Sequence, residues 1–179
     1  LVKTGITPDV ITVIGIVMSG VAAVTIGAGY LRVGFLFLLL TAIPDALDGA
    51  VARAAGTGSK RGAYFDSVSD RLTDGMLFGG VAWYLASTEP GRIMMLPVAI
   101  MCLAMFISYQ RAKAESLGWD AKGGIMERAE RVVVLAFALL FPELMIATLW
   151  VMLVLTAITA VQRFVKVWRQ ASGDRPVRP

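Results

Sequence analysis

The sequence predicts an all-α fold: a polytopic membrane protein of six transmembrane helices with both termini in the cytosol. Three observations carry that expectation. Hydrophobic residues make up 57% of the chain and charged residues 17%, against about 25% charged in a soluble domain. The mean hydropathy is +0.72, concentrated in apolar runs long enough to cross a bilayer. All but two of the 17 Lys and Arg fall on one side of six alternating spans, with Arg32 and Arg92 on the other. Positive residues favour the cytosolic side, so the termini and the loops after helices two and four are expected there. The 179 residues read as a single transmembrane domain over 1–179, with a polar tail from 171 that is expected to fray.

Each element has its own signal. Helix one is expected over 8–30, with Thr7 as its cap and Pro8 at the first helical position. Its apolar stretch lacks the small-residue cleavage site of a signal peptide and is expected to be retained. Helix two is expected over 32–55, broken by Gly56-Thr57-Gly58-Ser59. Helix three covers 60–86 and stops before Ser87-Thr88-Glu89-Pro90-Gly91. Helix four covers 92–117 and a polar loop follows over 118–124. Helix five covers 126–141, ended by Pro142, and helix six covers 143–169. The sequence holds no internal repeat, no low-complexity segment and no nucleic-acid motif.

Composition excludes several chemistries. The chain has no histidine, which removes Ser-His-Asp and Cys-His catalysis and His-ligated zinc. Its one cysteine, Cys102, sits in an apolar run, cannot form a disulfide within the chain, and reads as a small buried hydrophobe.

The informative segment is Asp45-Ala46-Leu47-Asp48-Gly49-Ala50-Val51-Ala52-Arg53, followed by Gly62, Asp66 and Asp70. An aspartate near the centre of a membrane helix costs about 2.5–3.5 kcal/mol, so several together need a compensating partner. Asp45 and Asp48, three apart, share a helix face; Asp66 and Asp70, four apart, share one on the next helix. The two helices are antiparallel neighbours across a short turn, so their cytosolic ends bring the four carboxylates together. Asp45 lies about 20 Å along its helix from Arg32, at 1.5 Å per residue, in the cytosolic half of the bilayer. Four carboxylates without histidine or thiolate form a hard donor set suited to Mg2+ or Mn2+, and two such ions can clamp a phosphoryl displacement. Gly49 and Gly62 leave room for a ligand near the backbone, Arg53 can contact a phosphate, and Asp70 is the candidate general base. Asp74, one turn further, is either an outer partner of the metals or the partner of Arg71 or of a base on another helix. The alternative to catalysis is a charge-paired seam or a transport path for ions or solutes, since intramembrane charges occur there too.

The pattern D-x2-D-G-x2-A-R-x8-G-x3-D-x3-D resembles the signature of the CDP-alcohol phosphotransferase family, whose six-helix plan matches nearly the whole chain. The resemblance implies a metal-dependent transfer in which an acceptor hydroxyl attacks the phosphorus of a CDP-linked lipid and CMP leaves. It implies that Asp45, Asp48, Asp66 and Asp70 hold the metals and that Asp70 is the base. Pro8, Asp9, Val10, Ile11, Gly49, Arg53 and Ser59 would surround CDP-diacylglycerol. Family members often carry Asn where Asp9 stands. The resemblance also favours a homodimer in the plasma membrane of a bacterium, surrounded by its lipids, with the site facing the cytosol.

The acceptor is read from the remaining cytosolic polar groups. Ser108, Arg111, Lys113 and Glu115 gather at the end of helix four, Arg128 and Arg131 open helix five, and Arg163 follows the apolar stretch 156–161. Cations converging beside a metal site suit an anionic acceptor. The segment 108–115, with Glu127-Arg128-Ala129-Glu130-Arg131 and Gln162-Arg163, resembles the actinobacterial phosphatidylinositol phosphate synthases. That implies inositol phosphate as the acceptor, contacted by Ser108, Arg111, Lys113, Arg131 and Arg163. Lys122-Gly123-Gly124 stands where the glycerophosphate-using branch shows a Gly-Lys-x-Lys-Thr run. Glycerol 3-phosphate, free inositol and serine remain as alternative acceptors.

Overall fold

A computed structural model describes residues 8–41 and 60–173, and every regular element among them is helical. In chain order these are α1 (Pro8–Gly27), α2 (Leu31–Thr41), α3 (Lys60–Thr88), α4 (Met95–Ser116), α5 (Arg128–Leu140), a 3-10 turn (Pro142–Leu144) and α6 (Met145–Gly173). Among the described residues three stretches are long and apolar enough to cross a membrane: Asp9–Gly27, Met95–Ser116 and Pro142–Gly173. The expected remainder of helix two, over 42–55, and the Thr7 cap lie outside the described residues.

Two helices end earlier than expected, for one shared reason. Helix one was expected to reach residue 30, but α1 stops at Gly27. Gly29 takes a φ of +88°, its N–H donates to the Ile26 carbonyl, and the Tyr30 N–H donates to Thr25 at 2.8 Å. This left-handed closure satisfies the last carbonyls of the helix. The end of α4 repeats it: Gly118 has φ +83°, and Trp119 donates to Ala114 at 2.9 Å. At α5 the expected span of 126–141 contracts at both ends to 13 residues, Arg128–Leu140, and beyond its end Pro142 and its neighbours form a 3-10 turn. By contrast α6 runs on to Gly173 rather than stopping at 169.

Packing pairs α1 with α3, α3 with α4, and α6 with both α4 and α5. The α1–α3 contact is close: a Cβ on Gly80 would lie 2.8 Å from the Cα of Ala23. Ala22 and Ile26 of α1 meet Leu77, Phe78 and Val81 of α3 in the core. The outward faces stay apolar, with Val17, Val133, Trp150 and Val154 each more than half exposed. In a chain of membrane spans such faces meet lipid. Cys102 belongs to this outer surface: it is exposed on α4 rather than buried as its apolar neighbours suggested.

Candidate active site

On α3 the helical repeat sets Asp66, Asp70 and Asp74 one turn apart on a single face. Asp66 is exposed, Asp70 half-buried and Asp74 buried. Asp66 and Asp70 line a small cavity of about 30 Å³ together with Thr12 and Ser19 of α1, Thr41 of α2, and Thr73. The Ser19 hydroxyl there is buried without a partner. The Arg128 guanidinium also lines this cavity; the remaining polar groups are oxygen donors, which fits a hard divalent cation and does not fit a thiophilic one. Asp45, Asp48, Gly49, Arg53 and Ser59 lie outside the described residues. Among the described residues no three acidic or thiol groups gather into a metal cluster.

A second charged row faces the first. Residues 128 and 131 share a face at the start of α5, and their side chains interdigitate with the acids of α3. Arg128 Nη1 lies 2.8 Å from Asp70 Oδ1, its Nη2 donates to Thr73 Oγ1 at 3.1 Å, and its Nε reaches Asp74 at 3.4 Å. Arg71 approaches the other oxygen of Asp70 at 3.3 Å. Arg131 donates from Nη2 to Asp74 Oδ2 at 3.1 Å. Of the roles open to Asp74 in the sequence, the structure shows pairing with bases on another helix.

Arg131 and Arg163 are each only 4% exposed, and they are held alike. Arg131 Nη1 donates to the Met126 carbonyl at 3.3 Å while Nη2 takes Asp74. Arg163 Nη1 donates to the Ile107 carbonyl at 3.0 Å. Its Nη2 donates to the Gly123 carbonyl at 3.0 Å and to Glu127 Oε1 at 2.9 Å. In both residues Nε is buried without a partner. Arg111 and Arg131 lie within electrostatic range of Arg163. Ser108 is half-buried beside Ile107. Arg111 pairs with Glu115 at 2.9 Å. Lys113 is exposed, two residues on from Arg111 and thus on the other side of α4.

The loop after α4 completes this side. Thr159, Arg163, Lys166 and Gln170 form a ladder on one face of α6, and each rung holds the loop. Thr159 Oγ1 accepts the Met126 N–H at 2.9 Å. Lys166 pairs with Asp120 at 2.7 Å, and Gln170 donates to the Asp120 carbonyl at 2.7 Å. Gly123 and Gly124 have φ of +94° and +144°, and a Cβ on Gly124 would collide with the Thr159 side chain. The Lys166 hydrogen bond, aided by the Lys122 N–H, holds the Asp120 carboxyl below the usual carboxylate range. These contacts explain why α6 outruns its expected end. Sequence reasoning singled out none of Ser19, Thr73, Glu127 and Thr159 as site residues; Glu127, beside Gly123-Gly124, carried the only local hint.

At the start of α1, Asp9 pairs with Arg61 of α3 at 2.7 Å on the surface. Pro8 opens the helix; Val10 is exposed and Ile11 half-buried.

Comparison with known proteins gives consistent matches. Residues 5–165 fit the family model described as CDP-alcohol phosphatidyltransferase. The chain is 36% identical over 179 residues to the phosphatidylinositol phosphate synthase of Mycobacterium marinum, across 94% of this chain and 76% of that protein. It is 34% identical to the Mycobacterium tuberculosis enzyme of the same name, across 100% and 88% of the two chains. The crystal structure of the Mycobacterium tuberculosis synthase with CDP-DAG bound superposes with a TM-score of 0.88 at 32% identity, covering 99% of this chain and 95% of that one. The same enzyme in complex with manganese and citrate gives 0.88 at 33% identity, covering 100% and 91%.

Proposed function

The chain belongs to the CDP-alcohol phosphatidyltransferase family, and from that membership we propose that it is a phosphatidylinositol phosphate synthase. It transfers the diacylglycerol phosphate group of CDP-diacylglycerol to inositol 1-phosphate and releases CMP. The acceptor hydroxyl oxygen bonds to the phosphorus that carries diacylglycerol, the bond from that phosphorus to CMP breaks, and the hydroxyl proton passes to Asp70. Asp45, Asp48, Asp66 and Asp70 would hold two Mg2+ or Mn2+ ions, which supply charge neutralisation of the diphosphate when bound. Pro8, Asp9, Val10, Ile11, Gly49, Arg53 and Ser59 would surround the CDP-lipid.

The observation that carries the acceptor assignment is the matched pair Arg131 and Arg163. Each is buried, each has both Nη groups tied to protein oxygens, and each keeps an unpartnered buried Nε. A buried donor without an acceptor is costly, and a phosphate oxygen is the acceptor a guanidinium suits best. Ser108 and Arg111 complete the acceptor set, while Lys113, exposed on the other side of α4 from Arg111, falls outside it. The same pair would accept any phosphorylated alcohol, which makes phosphatidylglycerol phosphate synthesis from glycerol 3-phosphate the second reading. The full chain is one domain of six spans in a bacterial plasma membrane, working as a homodimer with its site toward the cytosol.

The test is CMP release by purified protein in detergent with CDP-diacylglycerol and Mg2+, with inositol phosphate, inositol and glycerol 3-phosphate supplied separately. Release with inositol phosphate alone is expected. Release with glycerol 3-phosphate alone would keep the metal and donor assignments and replace the acceptor.

A further inference from the structure

Glu127 is an odd neighbour for an anion site. Its carboxylate lies 2.9 Å from Arg163, where its charge repels the phosphate that Arg163 is proposed to bind. Charge alone would therefore favour a neutral residue at this position. What the residue does geometrically is different. Its backbone carbonyl accepts the Arg131 N–H at 3.1 Å, so Glu127 begins α5 and sets where Arg131 leaves the helix. Its side chain does not cap α5. Instead Oε1 accepts the Gly123 N–H at 2.9 Å and Arg163 Nη2 at 2.9 Å. Arg163 Nη2 in turn donates to the Gly123 carbonyl at 3.0 Å. The three groups close a ring.

Arg163 is thus anchored at both ends of its guanidinium: Nη1 on Ile107 of α4, and Nη2 on the Gly123–Glu127 ring. A planar group fixed at two points cannot rotate without breaking one of them, and Nε is the nitrogen left without a partner. We infer that Glu127 is a positioning residue that orients the Arg163 guanidinium and so sets the affinity for the acceptor's phosphate. The inference rests on the acceptor assignment made above.

Positioning and simple charge predict opposite signs, which makes the inference testable. The variants are Glu127→Ala, Glu127→Asp and Glu127→Gln, read by KM for inositol phosphate, kcat, KM for CDP-diacylglycerol and melting temperature in detergent. Positioning predicts an acceptor KM raised about tenfold or more in Glu127→Ala and in Glu127→Asp, which keeps the charge but loses the reach. Glu127→Gln keeps an oxygen that accepts both N–H groups and stays within about threefold of wild type. The donor KM and saturating kcat hold within about twofold. An acceptor KM that is unchanged or lower in Glu127→Ala, or a Glu127→Gln variant as impaired as Glu127→Ala, overturns the inference. Should Glu127→Ala not fold, the contrast between the Asp and Gln variants decides. A wild-type protein that ignores inositol phosphate strikes the acceptor assignment instead. The same series is then read by calorimetric binding of inorganic phosphate, where the same order of affinities is expected and its absence overturns the inference.

Discussion

The proposed donor side and the proposed acceptor side of the site are built on opposite plans. On α3 the acids Asp66, Asp70 and Asp74 follow the turn of one helix, and their spacing in the chain is their spacing in space. The acceptor side is assembled across the chain. Arg131 meets Asp74 from 57 positions away, and Arg163 rests on residues 36, 40 and 56 positions away. A periodic row fixes which groups are present. Long-range closure fixes which of their atoms remain for a ligand. Damage to the first should remove chemistry, and damage to the second should remove affinity.

The largest effect is expected at Asp70. Asp70→Asn keeps the shape of the side chain but cannot take the acceptor proton, and kcat for CMP release should fall about 10²–10⁴-fold with the melting temperature little changed. An active Asp70→Asn protein would break the comparison at its first term. Next comes Arg131→Gln, which removes a buried cation from the acceptor side. Its acceptor KM should rise about 30–100-fold, near 2–3 kcal/mol, while the KM for CDP-diacylglycerol moves little. Equal losses for donor and acceptor would merge the two sides into one.

How much of this was legible beforehand follows the same division. The aspartate row and the oddity of Arg163 in an oily stretch could be read directly, since both are visible as charges against an apolar pattern. The partners of the arginines could not. Asp74 stood out by its spacing and a base on another helix was among its expected partners, but which base, and the role of Glu127, emerge only when α3, α5, α6 and the loop are brought together. Helix ends failed for a related reason. Gly29 and Gly118 close α1 and α4 through a positive φ, which a glycine permits but does not announce. The extension of α6 past 169 depends on Asp120, which lies 50 positions from Gln170. The first half of the aspartate motif lies outside the described residues and stands on its sequence.

A smaller effect is expected at Gly124. Gly124→Ala places a methyl group against Thr159 in a backbone conformation unfavourable to L-residues, so the loop should loosen. A loss of about 1–3 kcal/mol in stability, seen in melting temperature, should accompany a higher acceptor KM. An unchanged acceptor KM would show that the acceptor side does not need the loop. The smallest effect concerns Asp120. Its carboxyl is held below the ordinary value of 3.8 by Lys166, so the stability it contributes is complete above that value and is lost as the pH falls through its lowered value in the folded protein. A melting temperature followed downward through that range should drop less steeply in Asp120→Asn than in wild type; identical slopes would detach Asp120 from the clasp.

The short fifth helix has a consequence for how a water-soluble substrate could meet a lipid. At 13 residues α5 spans about 20 Å, some 10 Å less than the hydrocarbon layer it would have to cross. In the six-span arrangement its first turn, with Arg128 and Arg131, therefore begins below the membrane surface. The polar substrate comes down to the lipid, and the lipid need not be lifted out. Raising a diacyl chain into water costs about 0.8 kcal/mol for every methylene exposed, so a recess at this depth spares the donor that cost throughout the reaction.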